Sequence, residues 1–440
     1  MTTTVLTGAA AVLRDATTVT HGPVVVEDGR VGNTVGGRPG TGEVVDVSGC
    51  VVTPGLVNAH HHLLQTAFRS RPESRFVPMP DWLGLMAQRY SSVGVDPELV
   101  AMAAAVGLAE SLLCGVTTVA DHHLTWPRDQ DPVALADATI GAAARVGARL
   151  VFVRGTARDD PDLAAASVED IHRAHLGEGA RGTSADGMLQ LAVGPSGVHA
   201  DGPETFALLA EVASRLGLRR RTQANEQVDV QVAAERYGRR PLTLLDEWGW
   251  LDGDVTVAHL CDITDDEVAL LARSGASATH APGCDVPMGW GVARVAALTS
   301  AGVRVGLGTS GGGSNDAGHM LADARLAMQV SGLIGEPLTA RAVLAMASEG
   351  AAAGLGRAEL GHLRPGAAAD LCVWECSDVF DAGVSDPFDG LLWAGPGRRP
   401  RDVMVGGRWV VRDGELVTAQ SRSLATELGR LLKNRQVPAS

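Results

Sequence analysis

The sequence predicts an α/β chain: a (β/α)8 TIM-type barrel with a small composite β-sandwich drawn from both chain ends. Three observations carry this. From residue 56 onward, short apolar runs alternate with Ala- and Leu-rich helical stretches over about 300 residues, the pattern of parallel βα units. Before and after that region the pattern is β only. The 440 residues exceed what one ordinary core needs, which suits a barrel plus a smaller unit.

Residues 1–55 form the first part of the sandwich. "GPVVVEDGRV" reads as strand, Asp-Gly turn, strand, and "EVVDVSGCVVTPG" continues in short strands. Residues 56–362 form the barrel. Its strand-like runs include "GVTTVAD", "ARLVFV", "LQLAVGP", "VTVAHL", "SATHAP" and "VRVGLGT". Between them lie helices such as "PELVAMAAAVGLAESLLCG" and "PETFALLAEVASRLG". Residues 363–440 return to β grammar in "AADLCVWE" and "DVMVGGRWVVRDGELV", and the final "KNRQVPAS" reads as a loose tail.

Composition narrows the partners. A net charge of −14 leaves no basic stripe to neutralise phosphates, which argues against nucleic acid and anionic membrane. The six cysteines include no CxxC pair and read as reduced, buried, small apolar residues. The N-terminus lacks the basic start and apolar core of a signal peptide, and no apolar run reaches bilayer length. A soluble, cytoplasmic chain is expected.

The strongest chemical signal is "TPGLVNAHHHLLQT". Strand side chains alternate with period two, so His60 and His62 share a side and can chelate a divalent cation. A chance run of solvated histidines is the alternative. The Pro-Gly lead and apolar strand disfavour it. His61 would face away and serve structure.

This segment is similar to the opening metal motif of the amidohydrolase superfamily. "GVTTVADHH", "LGHLRPGAAADLCVWE" and "VMVGGRWVVRDGELV" agree with the same family. "THAPGCDVPMGWG", "GGGSNDAGHMLADARLAMQ" and "SDPFDGLLWAGP" resemble in particular its branch of 8-oxoguanine and related aromatic deaminases. The resemblance implies a metal held by His-x-His on the first strand, a His on the fifth, often a His on the sixth and an Asp on the eighth. It also implies a Glu, three residues after the fifth-strand His, that shuttles a proton to the substrate ring.

Carried over residue by residue, His60 and His62 match, as do His259 on the sixth strand, Glu226, and His280, which would either support the metal ligands from behind or polarise substrate. Two positions depart from the pattern. Gln223 stands where the fifth-strand His belongs, and Ser310 stands where the eighth-strand Asp belongs. A carboxamide and a hydroxyl are poor zinc ligands, and a serine hydroxyl is no base at neutral pH. The expected cofactor is therefore none, or a weakly bound divalent metal on His60, His62 and His259, zinc if any.

Glu226, His259 and His280 are the expected catalytic groups. Gln65, Trp82, His122, His123, Arg154, Gln223 and Ser310 are candidates to contact substrate. One of His122 and His123 would line the pocket while the other packs, and Trp82 reads equally as core or stacking platform. The expected activity is acid–base chemistry on a small purine- or pterin-like heterocycle, non-hydrolytic and with a degenerate metal site. A three-His hydrolytic deaminase is one alternative, and a non-catalytic ligand-binding relative is another. A homodimer is the expected assembly.

Overall fold

The computed structural model describes residues 3–33, 42–395 and 397–436. At its centre eight parallel strands curl into a closed barrel. They are β1 (Leu56–His62), β2 (Val116–His123), β3 (Arg149–Thr156), β4 (Leu189–Pro195), β5 (Arg219–Ala224), β6 (Val255–His259), β7 (Ser277–His280) and β8 (Val305–Leu307). Closure comes just past β8, where Ser310 and Gly311 pair in parallel with His61 and His62 of β1. Nearly every strand residue is buried, as in a parallel sheet covered by helices outside and by its own side chains within.

Each helix follows from local sequence. Pro97–Leu113 opens on Asp96, whose side chain accepts from the Leu99 N–H, with proline at the first helical position. Pro203–Leu216 ends at Gly217 with φ of 66°, a left-handed cap that glycine adopts without strain. The strand hidden from periodicity is β5, "RRRTQA". Its three arginines look like a solvated run, yet Arg220 is largely buried, pairing with Asp254 and lying over Trp250.

Both chain ends build the small domain. Cys50–Pro54 pairs antiparallel with Leu371–Glu375 inside a seven-stranded sheet of N- and C-terminal strands. A four-stranded sheet comes wholly from the N-terminal region, including the Asp28–Gly29 hairpin turn with φ of 47° and 80°. The buried Arg149–Asp370 ion pair, 2.8 Å, ties β3 to the segment before Leu371. The loose tail is corrected in part: residues through Gln436 extend the helix Ser421–Gln436, whose Arg435 pairs with Asp96 and Glu98. Residues 437–440 of that expected tail lie outside the described residues. Among the described residues no helix is long and apolar enough to cross a membrane.

The Gly-rich turn after β8 is shaped by close approach. A Cβ on Gly308 would lie 2.7 Å from the Cβ of His60, and one on Gly311 would lie 2.0 Å from Gln65 Oε1. Asn315 then donates to the Thr309 carbonyl at 2.7 Å and to Asp323 at 2.9 Å, pinning the turn to helix Met320–Leu333. Burial pushes Asp323 up to about 8. Its folded pKa is raised, so its stabilising contribution is complete below the ordinary value of 3.8 and is lost as pH climbs through about 8. The loss is up to ~1.4 kcal/mol per pH unit. Asp323→Asn should flatten this dependence. Melting temperatures of variant and wild type should converge from pH 8 to pH 5, and parallel curves would remove Asp323 as the cause.

Candidate active site

The C-terminal strand ends open into a cavity of about 1080 Å³, the face where barrel enzymes carry their chemistry. β1 delivers His60 and His62 together. A register shift against β2 between Asn58 and His61 bulges the strand across Ala59 and His60. His61 turns away to Thr309 Oγ1 at 2.9 Å, as expected of a structural residue. Four imidazoles gather: ring centroids of His60 lie 4.8 Å from His62, 5.0 Å from His259 and 5.8 Å from His122.

Their hydrogen bonds set their states. His62 donates from Nδ1 to the His122 carbonyl at 2.8 Å, and His122 from Nε2 to the Gly194 carbonyl at 2.8 Å. His60 Nε2 and His122 Nδ1 are buried without partners. Burial holds His62 down at about 4 and pushes His60 and His122 well below the usual imidazole range. All three are neutral.

His259 differs. Its Nδ1 lies 2.8 Å from Asp285 Oδ1, its Nε2 3.2 Å from Gln223 Oε1 and 3.8 Å from Glu226 Oε1. Burial alone would lower it, but the Glu226 and Asp285 carboxylates outweigh burial and hold it up at about 9. Facing acceptors on both nitrogens, this ring is held toward its protonated, imidazolium form. Its backbone, at φ of 73°, occupies the left-handed region that non-glycine residues enter at a cost. Glu226 is 2 % exposed, with Oε2 unpartnered, and burial lifts it to about 7.

Gln65, Trp82, His122, His123, Gln223 and Ser310 all line the cavity with His62, Glu226 and His259. Gln65 accepts from the Gly313 N–H at 3.1 Å, and Trp82 donates to the Gly313 carbonyl at 3.3 Å while meeting Trp290 edge-on. His123 lines the cavity and also packs against Trp126 and Phe152. Arg154 is not on this wall: its guanidinium is committed to Ser167, Asp159 and the Gly155 carbonyl, over the Trp126 ring. His280 is buried beside the cluster with Nδ1 unpartnered, but is not among the residues that line the cavity.

Sequence reading missed three groups. Asp285 fixes His259; it lies in "THAPGCDVPMGWG", a segment the family resemblance picked out without marking this residue. His199, on the cavity wall, pairs with fully buried Asp229 at 2.7 Å. Arg221 reaches across the barrel interior to the Ala59 carbonyl. The ligand-type atoms of His259, Cys261 and Asp285 also lie within 4.8 Å of one another. That group is no ready thiolate site, because burial and the Asp285 carboxylate push the Cys261 thiol well up.

Barrel, composite sandwich and histidine-lined mouth together define an enzyme of the deaminase and hydrolase type. The chain belongs to the amidohydrolase family, whose profile matches residues 51–410. It is 33% identical over 417 residues to the 8-oxoguanine deaminase of Pseudomonas aeruginosa, covering 89% of this chain and 90% of that one. It is 29% identical over 431 residues to an isoxanthopterin deaminase from an unknown prokaryotic organism, covering 90% and 88%. In structure it is similar to an atrazine chlorohydrolase from Arthrobacter aurescens TC1 complexed with zinc. The TM-score is 0.91 and the identity 30%, over 98% of this chain and 100% of that one.

Proposed function

We propose that this chain transforms a small nitrogen-rich heterocycle, purine- or pterin-like, by acid–base chemistry centred on Glu226, without a tightly held metal. The observation that carries this reading is the state of His259. Its Nδ1 lies 2.8 Å from Asp285 and its Nε2 faces Gln223 and Glu226, which favour a proton on Nε2 in competition with a metal. The donor set therefore fits a divalent ion poorly. Gln223 and Ser310 are neutral, and Ser310 supplies no anionic ligand.

Glu226 has the properties of a proton shuttle. It is buried at the cavity wall, near neutrality, and one oxygen is free of protein partners. The His259 imidazolium, held by Asp285, stabilises negative charge that develops on a bound ring. Tautomerisation is such a proton transfer outright, and ring opening, cyclisation and elimination make or break a ring or leaving-group bond with the proton moved by the same groups. The deaminase relatives support a heterocyclic substrate, and the reaction type is part of the proposal. Homodimeric assembly and a cytoplasmic location belong to it as well.

One observation favours a second reading. His60 Nε2 is buried and unpartnered beside His62, whose Nδ1 is tied to a carbonyl. Such imidazoles suit a hydrolytic deaminase of an 8-oxoguanine-like substrate that holds zinc on His60, His62 and His259. Elemental analysis separates the two. The acid–base reading expects sub-stoichiometric zinc after purification without added metal, and almost no fall in melting temperature on chelation. It also expects ammonia release from guanine, 8-oxoguanine and isoxanthopterin well below roughly 1 per second. One tightly held zinc per chain, together with turnover in that range, would establish the second reading instead.

A further inference from the structure

Arg221 is an interior residue that neither the family pattern nor the proposed chemistry absorbs. It lies on β5 two residues before Gln223, so the strand's period of two directs both side chains to the same side. Its guanidinium crosses the barrel to the Ala59 carbonyl, next in chain to His60. The side chain is 3 % exposed, its Nε is unpartnered, and it pairs with no carboxylate among the described residues. A buried cation without a counter-ion is costly, and structures rarely retain one beside nothing. Gly194 brings the His122 ring close as well: a Cβ there would lie 2.9 Å from His122 Nε2 and 2.7 Å from the Arg221 carbonyl oxygen.

We propose that Arg221 is a built-in cation that takes the place of a divalent metal in the electrostatics of this site and keeps such a metal out. The guanidinium donates to the carbonyl of Ala59, the residue before His60, and its charge acts on the His60 and His122 rings and disfavours any further cation there. Burial lowers its pKa only to about 9, so it stays protonated at neutral pH. Ser310, where the family pattern has a carboxylate, and Arg221 both make the site more positive, while Gln223 exchanges one neutral group for another. Through an effective dielectric of about 20, a unit charge within several ångströms of a dication weakens its binding by about a hundredfold or more.

This inference rests on the metal-poor reading, and its test separates the two. Zinc is titrated into the purified full-length protein in competition with a chromophoric chelator. Arg221→Met should bind zinc about a hundredfold more tightly than wild type, whereas Arg221→Lys, which keeps the charge, should stay as weak as wild type. Should the Met variant not fold, Arg221→Gln retains a donor for the Ala59 carbonyl and carries the same expectation. A metal-poor wild type with unchanged affinity in the folded neutral variants would overturn the role of Arg221 alone. A Lys variant as tight as the Met variant would do the same, since charge would then not be the cause. Tight stoichiometric zinc in wild type would overturn the metal-poor reading and this inference together.

Discussion

Glu226→Gln is expected to abolish turnover of the true substrate, by a factor of about 100 or more, while the affinity for that substrate changes little. The substitution keeps the shape of the side chain and removes its ionisable proton. Glu226 is the cavity-lining carboxyl raised to about 7 at the barrel mouth that lies 3.8 Å from the His259 imidazolium. Asp121, also on the cavity wall, is likewise lifted by burial to about 7 with Oδ2 unpartnered, so Asp121→Asn is the matching control, whereas the two carboxylates beside Glu226 are engaged. Asp285 is engaged at 2.8 Å by His259, and Asp229 at 2.7 Å by His199. The comparison is made on the substrate found by screening aminated purines and pterins, with binding followed by calorimetry. If rate and affinity fall together, Glu226 merely holds the ligand. If turnover stays at the wild-type level, the proposed mechanism is lost.

The second large effect is a gain. Restoring a ligand set through Gln223→His with Ser310→Asp should tighten zinc binding by at least about a hundredfold over wild type, since even outer-shell partners are worth 10- to 100-fold. Ser310 lies at the β8 turn in register with His61, and Gln223 ends β5 beside His259, so both replacements project at the cavity wall. The new carboxylate supplies the missing negative charge, and the new imidazole supplies nitrogen where a carboxamide stood. Zinc content after dialysis is the readout. Failure of the double variant to retain zinc, in protein that melts as wild type does, would show that barrel geometry no longer presents these positions to one point. Adding Arg221→Met to this background should tighten zinc further, because the charges act on the same site.

What the sequence determined by itself was set by local rules. Strand period two put His60 and His62 on one side, and the Asp28–Gly29 turn closed a hairpin of the N-terminal sheet. Alternating β and α segments, with β grammar at both ends, specified a barrel and a shared sandwich. The family motifs marked Glu226, His259, Gln223 and Ser310, all of which line one cavity. Other placements were beyond local reading because they depend on partners far apart in the chain. Arg154 sits on a strand like any wall residue, yet Ser167 and Asp159 draw it into the helix layer. Asp285 lies 26 positions from the ring it fixes, and Arg221 lies 162 positions from the carbonyl it reaches. The charge of each buried group follows from such encounters. Desolvation acts on every ring in the cluster, and only the tertiary fold decided that His259 alone would meet two carboxylates while its three neighbours met carbonyls or nothing.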